Sequence, residues 1–575
     1  MSMEKRAILA IVLSLFVVVV WMFFFAPQPP AGPPPIEQRD RETSRTSPEI
    51  EGKVVQQIPT QKARGLFSSS SAAQETLVTV DTGVTQLTLT SLGAGVKSVQ
   101  MLDYRVSRDD AAPPVEIAPV IETANTPLTA ELRLGSRQVS LRNAAFVPSK
   151  TRLILSQAQP DGAIVFRAET SDGMIVEREY RFRYRSYVFE VDTQVGGVQL
   201  PEGSAITLFW GPGLRQQHEA VSSRRRQTGT LPRSYIDGKI FKQVPEEGGQ
   251  PIEKPGQIAW TALADTYFAA VLIPYEPVTD EPVNGTVITR QVQEEALEIG
   301  LRTAINVAQP MQAVRVYVGP KQQQLLEAAE PFLSKKLIDL GWLHPLAWPM
   351  VGLLRFVHGI VQNYGIAIIV VTLLIKIVTW PLTQKSYKSM QGMQKLQPKI
   401  KELQLVYKDD KQAMNRAMMQ IYRDQKVNPM GSCLPMLLQI PFFFAFYNAL
   451  LYSIEMRHAP FICWGTELSL FRLFGNSWPG AGVCDLSVYD PTFIMPLLMG
   501  VGMLAQQRMT PMTTADPMQA KMMQFMPLIF LFFFIKAPAG LVLYWLMNTV
   551  LSVLQQLLVN RPRPATVEAE ATSKG

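Results

Sequence analysis

The sequence predicts a polytopic α-helical membrane protein that carries a large exported all-β domain. Its apolar runs are confined to residues 7–25 and about 350–560, and the long block between them is polar. Within that polar block, apolar and polar residues alternate with a period of two, which is typical of half-buried strands. We therefore expect six membrane-spanning helices, five of them in one core, and a β-sandwich between the first span and that core.

The N-terminal segment predicts an uncleaved signal anchor over residues 1–26. Basic residues precede Ala7–Phe25, an apolar run that is long for a signal-peptide core, and Pro27 and Pro29 crowd the small-residue site where cleavage would occur. The basic start favours a cytoplasmic N-terminus, so the chain that follows is expected to be exported. Residues 27–76, rich in Pro, Ser, Thr and Gln, predict a flexible linker.

Residues 77–320 are predicted to form the exported β domain. The alternation is clear over Ile175–Val195, where tyrosine and phenylalanine alternate with arginine. Such arginines could form an anion-binding face, or they could be the solvated side of a strand, which is the commoner case. The same two interpretations apply to Arg224–Arg226.

The hydrophobic period changes to that of a helix after the β domain. Over residues 321–349, leucine, alanine and phenylalanine recur at helical spacing with charged residues between them. The stretch continues through Trp342 and Trp348, and tryptophan is typical of a membrane interface. We expect an amphipathic helix that lies flat on the outer surface of the membrane that the core spans.

The core over residues 350–560 is predicted to hold five spans. They are Tyr364–Leu382, Leu434–Ser453, Thr492–Gln507, about Met522–Ile535 and Ala539–Leu558. The loop 384–427 carries ten Lys/Arg against four Asp/Glu, whereas Ile454–Asp490 carries two against four. By the positive-inside rule the basic loop is cytoplasmic, and so are both termini, including the short tail 561–575.

Lys376 is the only charge within Tyr364–Leu382. A cation at the centre of a span costs about 2.5–3.5 kcal/mol on insertion scales, so Lys376 is expected to face protein or water. Thr372 precedes it by four residues and shares its helix face. Because the core spans contain no Asp or Glu, the sequence predicts water as the ligand of Lys376, and hence a water-filled groove.

Other polar residues at membrane depth extend this prediction. Gln439 lies in the second span of the core, and Tyr544, Asn548 and Ser552 are spaced by four along the last one. They could line the groove with Lys376, or they could form the interhelical hydrogen bonds that are common in membrane bundles.

The sequence carries no pattern for covalent chemistry. It has no nucleotide-binding glycine loop, and its four histidines lack metal-ligand spacing. We therefore expect no catalytic residues, no metal and no cofactor. Cys463 and Cys484 both fall in the exported loop, where a disulfide can form, although two free thiols are the alternative.

The basic loop 384–427 predicts a cytoplasmic helical hairpin. Its helices are expected over Lys388–Tyr407 and Asp410–Lys426. Its methionines suit varied apolar partners, although ordinary packing is the alternative for most of them individually. Its positive charge fits anionic lipid or ribosomal RNA equally well, and we expect no DNA partner.

Several segments resemble the YidC membrane protein insertases. They are VTLLIKIVTWPLTQKSYKSM, KVNPMGSCLPMLLQIPFFFAFY, DPMQAKMMQFMPLIF and PAGLVLYWLMN, with WTALADTYFAAVLIP as a looser match in the exported domain. The resemblance implies the Gram-negative type of the family. It also implies a periplasmic β-supersandwich and a five-helix core around a hydrophilic groove, open to the cytoplasm and the lipid.

The resemblance assigns groove positions to Lys376, Thr372, Gln439 and Ser552, and a substrate-contacting aromatic position to Trp545. Lysine stands where the family usually has arginine. The implied function is insertion, folding and assembly of inner-membrane proteins without covalent catalysis. The implied partners are nascent membrane proteins, the Sec translocon, the ribosome and the signal recognition particle pathway. An anion transporter, which would show inverted repeats, and a membrane-anchored glycan-binding protein are the alternatives.

Overall fold

A computed structural model describes residues 75–560, except for the gaps at 109–110, 119–125, 216–229, 247, 278–281, 294–295, 306–309, 332, 408–409, 426, 428–433, 465–480 and 510–516. The predicted signal anchor, the linker up to residue 74, the tail after 560 and the Arg224–Arg226 run lie outside the described residues. The chain divides into two compact units, one holding nearly all described residues up to Gly319 and the other those from Pro320 onward. Each unit is described by itself.

The first unit is built from β-strands. They are β1 Leu77–Asp81, β2 Thr85–Thr90, β3 Val96–Arg105, β4 Pro114–Glu116, β5 Thr129–Leu134, β6 Arg137–Ser140, β7 Val147–Pro148, β8 Arg152–Ile154, β9 Asp161–Glu169, β10 Ile175–Arg183, β11 Val188–Gly196, β12 Ala205–Trp210, β13 Leu231–Ile236, β14 Lys239–Phe241, β15 Ile252–Ala264, β16 Phe268–Pro274, β17 Val283–Gln293, β18 Ala296–Ala304 and β19 Met311–Pro320. The prediction of a β-rich domain is confirmed.

These strands form two sheets. One has the order β4-β3-β2-β1-β8, and the other has the order β6-β5-β12-β18-β17-β15-β16-β19-β11-β10-β9-β7, with β13 joined to β14 and β15. Strand β1 pairs with β8 in parallel, whereas β1 with β2, β9 with β10 and β10 with β11 pair antiparallel. The supersandwich arrangement of the sheets stays a prediction.

The arginines of β10 are bonded within the domain. Arg181 forms ion pairs with Glu179, Glu190 and Asp192 at 2.8–2.9 Å. Arg178 is fully buried, and its Nη1 donates to three backbone carbonyl oxygens at 2.7–3.1 Å. Because Arg181 is already paired with carboxylates and Arg178 is buried away from the surface, the strand favours the structural interpretation over an anion-binding face.

The second unit is mainly helical. Its helices are α1 Gln323–Ala329, α2 Leu333–Leu337, α3 His344–Val361, α4 Tyr364–Val406, α5 Lys411–Asp424, α6 Leu434–Tyr452, α7 Ile494–Met509, α8 Pro517–Phe534 and α9 Ala539–Asn560. A short hairpin pairs β20 Ile462–Trp464 with β21 Ala481–Val483.

The chain over 321–349 is not the single helix that its periodicity suggested. The structure has α1, α2, a 3-10 turn at Gly341–Leu343 and the start of α3. Pro331 cannot donate a helical hydrogen bond, and Gly341 adopts a φ of +71°, so both positions interrupt the helix. The exposed side of α3 carries Phe356 and Ile360, each more than two-thirds exposed.

Helix α4 is longer than predicted. The expected span Tyr364–Leu382 and the expected first hairpin helix are parts of one helix of 43 residues. The side chain of Asn363 caps its start by accepting a hydrogen bond from the Ile366 amide at 3.0 Å. Residues 383–406 are rich in strong helix formers, and this explains why the helix continues beyond the apolar segment.

Two helices in the described part of the chain are long and apolar enough to span a membrane, namely α4 and α9. Two shorter apolar helical segments, Leu438–Tyr452 and Gln524–Phe534, lie in α6 and α8. The full count of six spans stays a prediction.

Candidate functional site

The Lys376 ammonium lies between α4 and α9. Its Nζ donates to Ser552 Oγ at 2.7 Å and lies 3.3 Å from Asn548 Oδ1. Lys376 is 7% exposed, so the charge is largely removed from solvent. We call these three residues the lysine cluster.

The lysine cluster carries an uncompensated positive charge. Among the described residues, no carboxylate pairs with Lys376, and its two acceptors are neutral oxygens. The sequence had suggested water as its ligand, whereas the structure supplies protein oxygens. The spacing of four places Asn548 and Ser552 on one face of α9, and tertiary packing brings that face against α4.

The neighbouring hydroxyl groups bond to their own helices. Thr372 is almost fully buried one turn before Lys376, and its Oγ1 donates to the Ile368 carbonyl oxygen at 2.6 Å. Ser552 Oγ likewise donates to the Asn548 carbonyl oxygen at 2.7 Å. Ser552 therefore accepts from the ammonium and donates to backbone, which orients its lone pairs toward Lys376.

The two predicted aromatic residues turn toward other helices. Tyr544 stacks on Phe446 of α6 with ring centroids 4.5 Å apart. Trp545 lies 4.9 Å from the ring of Phe443 in α6, and it also contacts two phenylalanines of α8. Gln439 is half-buried on α6 and is not a hydrogen-bond partner of Lys376. The predicted site thus divides into the lysine cluster and an aromatic cluster around Trp545.

A second polar contact between α4 and α9 was missed by sequence reasoning. Gln555 Nε2 donates to Thr383 Oγ1 at 2.9 Å, and it lies 3.4 Å from the carbonyl oxygen of Trp380. Gln555 is fully buried and Thr383 is 5% exposed. Helical spacing could have predicted this contact, since Thr383 lies two helical turns beyond Lys376 and Gln555 lies three residues beyond Ser552.

The starting ends of α4 and α9, which the charge pattern predicts to be exported, are held by the chain around β20 and β21. Asn363 Nδ2 donates to the Phe461 carbonyl oxygen at 3.0 Å, and the Phe461 ring covers Gly365 so closely that a Cβ there would lie 2.0 Å from it. On α9, the Gly540 amide donates to the Leu486 carbonyl oxygen at 2.9 Å. We call these the outer contacts.

The segment that makes the outer contacts is itself braced. Cys484 is in a disulfide bond, and Cys463 lies opposite Gly482 in the β20–β21 ladder. The pairing of Cys463 with Cys484 stays a prediction that this register favours. His458 Nδ1 lies 2.9 Å from Asp485 Oδ2.

The ionisation of Asp485 is shifted by this environment. Burial disfavours its carboxylate, but hydrogen bonds from His458 and Ser487 outweigh burial and lower the pKa of Asp485 below its usual range. The carboxylate therefore stays charged over a wider range of acidic pH than a free aspartate does.

The end of α4 and helix α5 form the predicted helical hairpin. Met393, Leu396, Met418 and Tyr422 make its buried core. Met418 is therefore a packing residue. The surface is basic, with exposed cations at Lys385, Lys388, Lys395, Lys399, Lys401, Arg416 and Arg423.

No cluster of His, Cys, Asp and Glu that could hold a metal ion occurs within the described ranges. The arrangement offers a buried cation with exchangeable neutral ligands, an aromatic cluster and a basic surface. Such groups can bind and orient a polar chain.

Comparison with known proteins decides the family. Residues 356–566 match the family model described as "60Kd inner membrane protein", and residues 77–353 match the model described as "YidC periplasmic domain". "Membrane protein insertase YidC" of Syntrophus aciditrophicus is 34% identical over 97% of this chain and 100% of the relative. The chain belongs to the YidC membrane protein insertase family.

A second curated YidC protein shows the same extent of similarity, and these two relatives confirm the predicted resemblance. The one from Citrifermentans bemidjiense is 34% identical over 97% of this chain and 99% of its own length. A solved structure titled as an active YidC insertase with its first transmembrane domain resolved is 18% identical, with a TM-score of 0.34, and covers 85% of this chain and 96% of its own. The YidC relatives are named as membrane insertases, not as enzymes that make or break covalent bonds.

Proposed function

We propose that this YidC-family chain inserts and assists the folding of inner-membrane proteins by drawing acidic or polar groups of a nascent client toward Lys376. The observation that carries this proposal is the uncompensated ammonium of the lysine cluster. A charge that only neutral oxygens satisfy retains affinity for an anion, because hydrogen bonds between charged groups are roughly twice as strong as neutral ones.

The exchange at Lys376 needs no covalent step. A client carboxylate that replaces Ser552 or Asn548 forms an ion pair where neutral hydrogen bonds stood. Hydration of the site belongs to this proposal, since a polar client segment enters with its water. The client leaves when its apolar segment moves into lipid, and burial of apolar surface supplies about 25 cal/mol per Å².

The path of that apolar segment is proposed to follow α6 and α8. One face of α8 is apolar and points away from the other helices, with Leu528 62% and Phe532 76% exposed. Trp545 of α9 contacts phenylalanines of both α6 and α8, so it links the helix that carries Asn548 and Ser552 to this path. A broad aromatic surface suits clients of varied sequence, because it offers contact area without a fixed hydrogen-bond pattern.

The basic hairpin is proposed as the contact for the ribosome and the signal recognition particle pathway. Its buried core is apolar, and its exposed surface carries the seven cations named above. Association with anionic lipid is proposed from the same positive charge. Association with the Sec translocon is proposed from the family membership. Clustered positive charge attracts nucleic-acid phosphates and anionic lipid alike.

The proposal is tested by growth of cells depleted of their own insertase. Lys376→Arg retains the charge and is expected to support growth and client insertion, whereas Lys376→Glu is expected to abolish both. Lys536 lies outside α8 and α9 and is exposed, so Lys536→Glu is the matched charge-reversal control and should grow normally. Equal growth of both Lys376 variants would show that charge is not used, and normal insertion in depleted cells would refute the function itself.

A further inference from the structure

The lysine cluster lies between two sets of contacts that join α4 and α9. On one side are the outer contacts, made through Phe461 and Leu486. On the other side Thr383 bonds Gln555. Both helices run in the same direction from the outer contacts, and Lys376 and Ser552 lie at matching depths, about 16–18 Å along their helices from Gly365 and Gly540 at 1.5 Å per residue.

The outer contacts are hard to release. The chain between β21 and α7 accepts two backbone hydrogen bonds from the start of α9, donated by the amides of Ala539 and Gly540. The Phe461 ring is fitted against a glycine of α4, and the segment carries a disulfide at Cys484. Backbone pairing and close ring packing together hold the outer ends of the two helices in place.

The contact on the far side is made by side chains and has no covalent bond or backbone-to-backbone pairing. Gln555 bonds Thr383 and the Trp380 carbonyl oxygen, Tyr387 bonds Ser552 and Gln556, and Gln391 Nε2 donates to the Val559 carbonyl oxygen at 2.9 Å. Neutral side-chain hydrogen bonds each add little net stability, so client binding can supply enough free energy to break them. Gln555 and Thr383 are also buried, which means that they separate only if the helices do.

We propose that Thr383 and Gln555 are positioning residues that hold Lys376 against Ser552, and that they part when a client is admitted. The outer contacts act as the hinge, so α4 and α9 separate only beyond the lysine cluster. This inference rests on the proposed insertase function and adds the movement by which the buried ammonium becomes accessible.

The test uses the full-length protein in proteoliposomes with the substitutions Thr383→Cys and Gln555→Cys in a Cys433→Ser background. A short bifunctional methanethiosulfonate reagent links the pair, and protease protection measures insertion of a client that carries an acidic residue. Linkage is expected to lower insertion by at least about tenfold, because a covalent link removes the open state. Reduction with dithiothreitol is expected to restore it to the level of wild-type protein reduced in the same way, which accounts for the native disulfide at Cys484 and shows that the linked protein is folded.

The matched control links the hinge end of the same two helices. A Cβ at Gly540 would lie 3.4 Å from Ile368 Cδ1, so Ile368→Cys with Gly540→Cys places a link at the outer contacts. Insertion should persist after this linkage. Full insertion with the Thr383–Gln555 link in place would overturn the proposal, and so would equal loss with the hinge link. Absence of insertion by the unmodified protein would instead refute the proposed function.

Discussion

The Nζ atom of Lys376 lies 2.7 Å from the Oγ atom of Ser552, on helices that are far apart in the sequence. This hydrogen bond joins the one charged side chain of a largely apolar segment to a hydroxyl that is 2% exposed. The contact makes the ammonium tolerable within the core without neutralising it. The stability of the core and the proposed client binding therefore depend on the same pair of atoms.

Loss of the Ser552 hydroxyl should destabilise the core. In Ser552→Ala the buried ammonium keeps only Asn548, and we expect the free energy of unfolding to fall by about 1–3 kcal/mol, the cost of leaving a buried polar group unsatisfied. Lys376→Met in the same chain removes that ammonium. The double variant should therefore be more stable than the sum of the single changes predicts, as measured by thermal unfolding in detergent. Simple additivity would show that the two residues are not coupled.

An added methyl group at Gly365 should disturb the outer contacts. The Cβ of Gly365→Ala would lie 2.0 Å from the Phe461 ring, which must move. We expect destabilisation by about 1–3 kcal/mol, typical of overpacking, and faster proteolysis of the chain that contains Phe461. Gly359 in α3 has no atom within 4 Å of an added Cβ, so Gly359→Ala is the matched control and should be stable. Equal stability of the two variants would contradict the packing.

The contribution of Asp485 should depend on pH. Because its pKa is lower in the folded protein than in the unfolded chain, Asp485 stabilises the fold above about pH 4, the usual pKa of aspartate. That contribution is lost as the pH falls below this value toward the folded-state pKa. Asp485→Asn should therefore unfold more readily than the wild type at pH 7, and the difference should shrink near pH 3. A difference that is constant with pH would exclude the carboxylate as its cause.

Truncation of Met418 should loosen the hairpin. Met418 is 9% exposed in the core that joins α4 to α5, and Met418→Ala is expected to cost about 2–5 kcal/mol locally. Hydrogen exchange should accelerate in peptides from both helices. Gln420→Ala, at an exposed position of the same helix, should leave exchange unchanged. An unchanged exchange rate in Met418→Ala would mean that the hairpin is held by other contacts.

The lysine cluster was accessible from sequence in part. Lys376 stood out as a charge in an apolar run, and the spacing of Asn548 and Ser552 placed them on one helix face. Their contact with Lys376 depends on how α9 is rotated against α4, which local periodicity does not contain. The neighbouring Gln555 went unnoticed because glutamine near a helix end is also typical of a membrane boundary.

In the rest of the fold, too, local sequence patterns predict some features and not others. Alternation identified the strands, and Arg178 lies on the same face of β10 as Tyr180, so its burial could have been predicted from the period of two. The carbonyl oxygens that bond Arg178 come from distant turns, and no local signal marks them. The break at Pro331 was legible in the sequence, whereas the continuity of α4 through Pro381 depends on helix formers on both sides.

The continuity of α4 has a mechanical consequence. At 1.5 Å per residue its 43 residues measure about 64 Å, roughly twice the thickness of a bilayer's hydrocarbon core. The rod that holds Lys376 is therefore also the first arm of the basic hairpin. A partner that binds the hairpin therefore binds the same helix that carries Lys376. Binding of a ribosome that delivers a client can shift the position of Lys376 through this one helix, without any further connecting element.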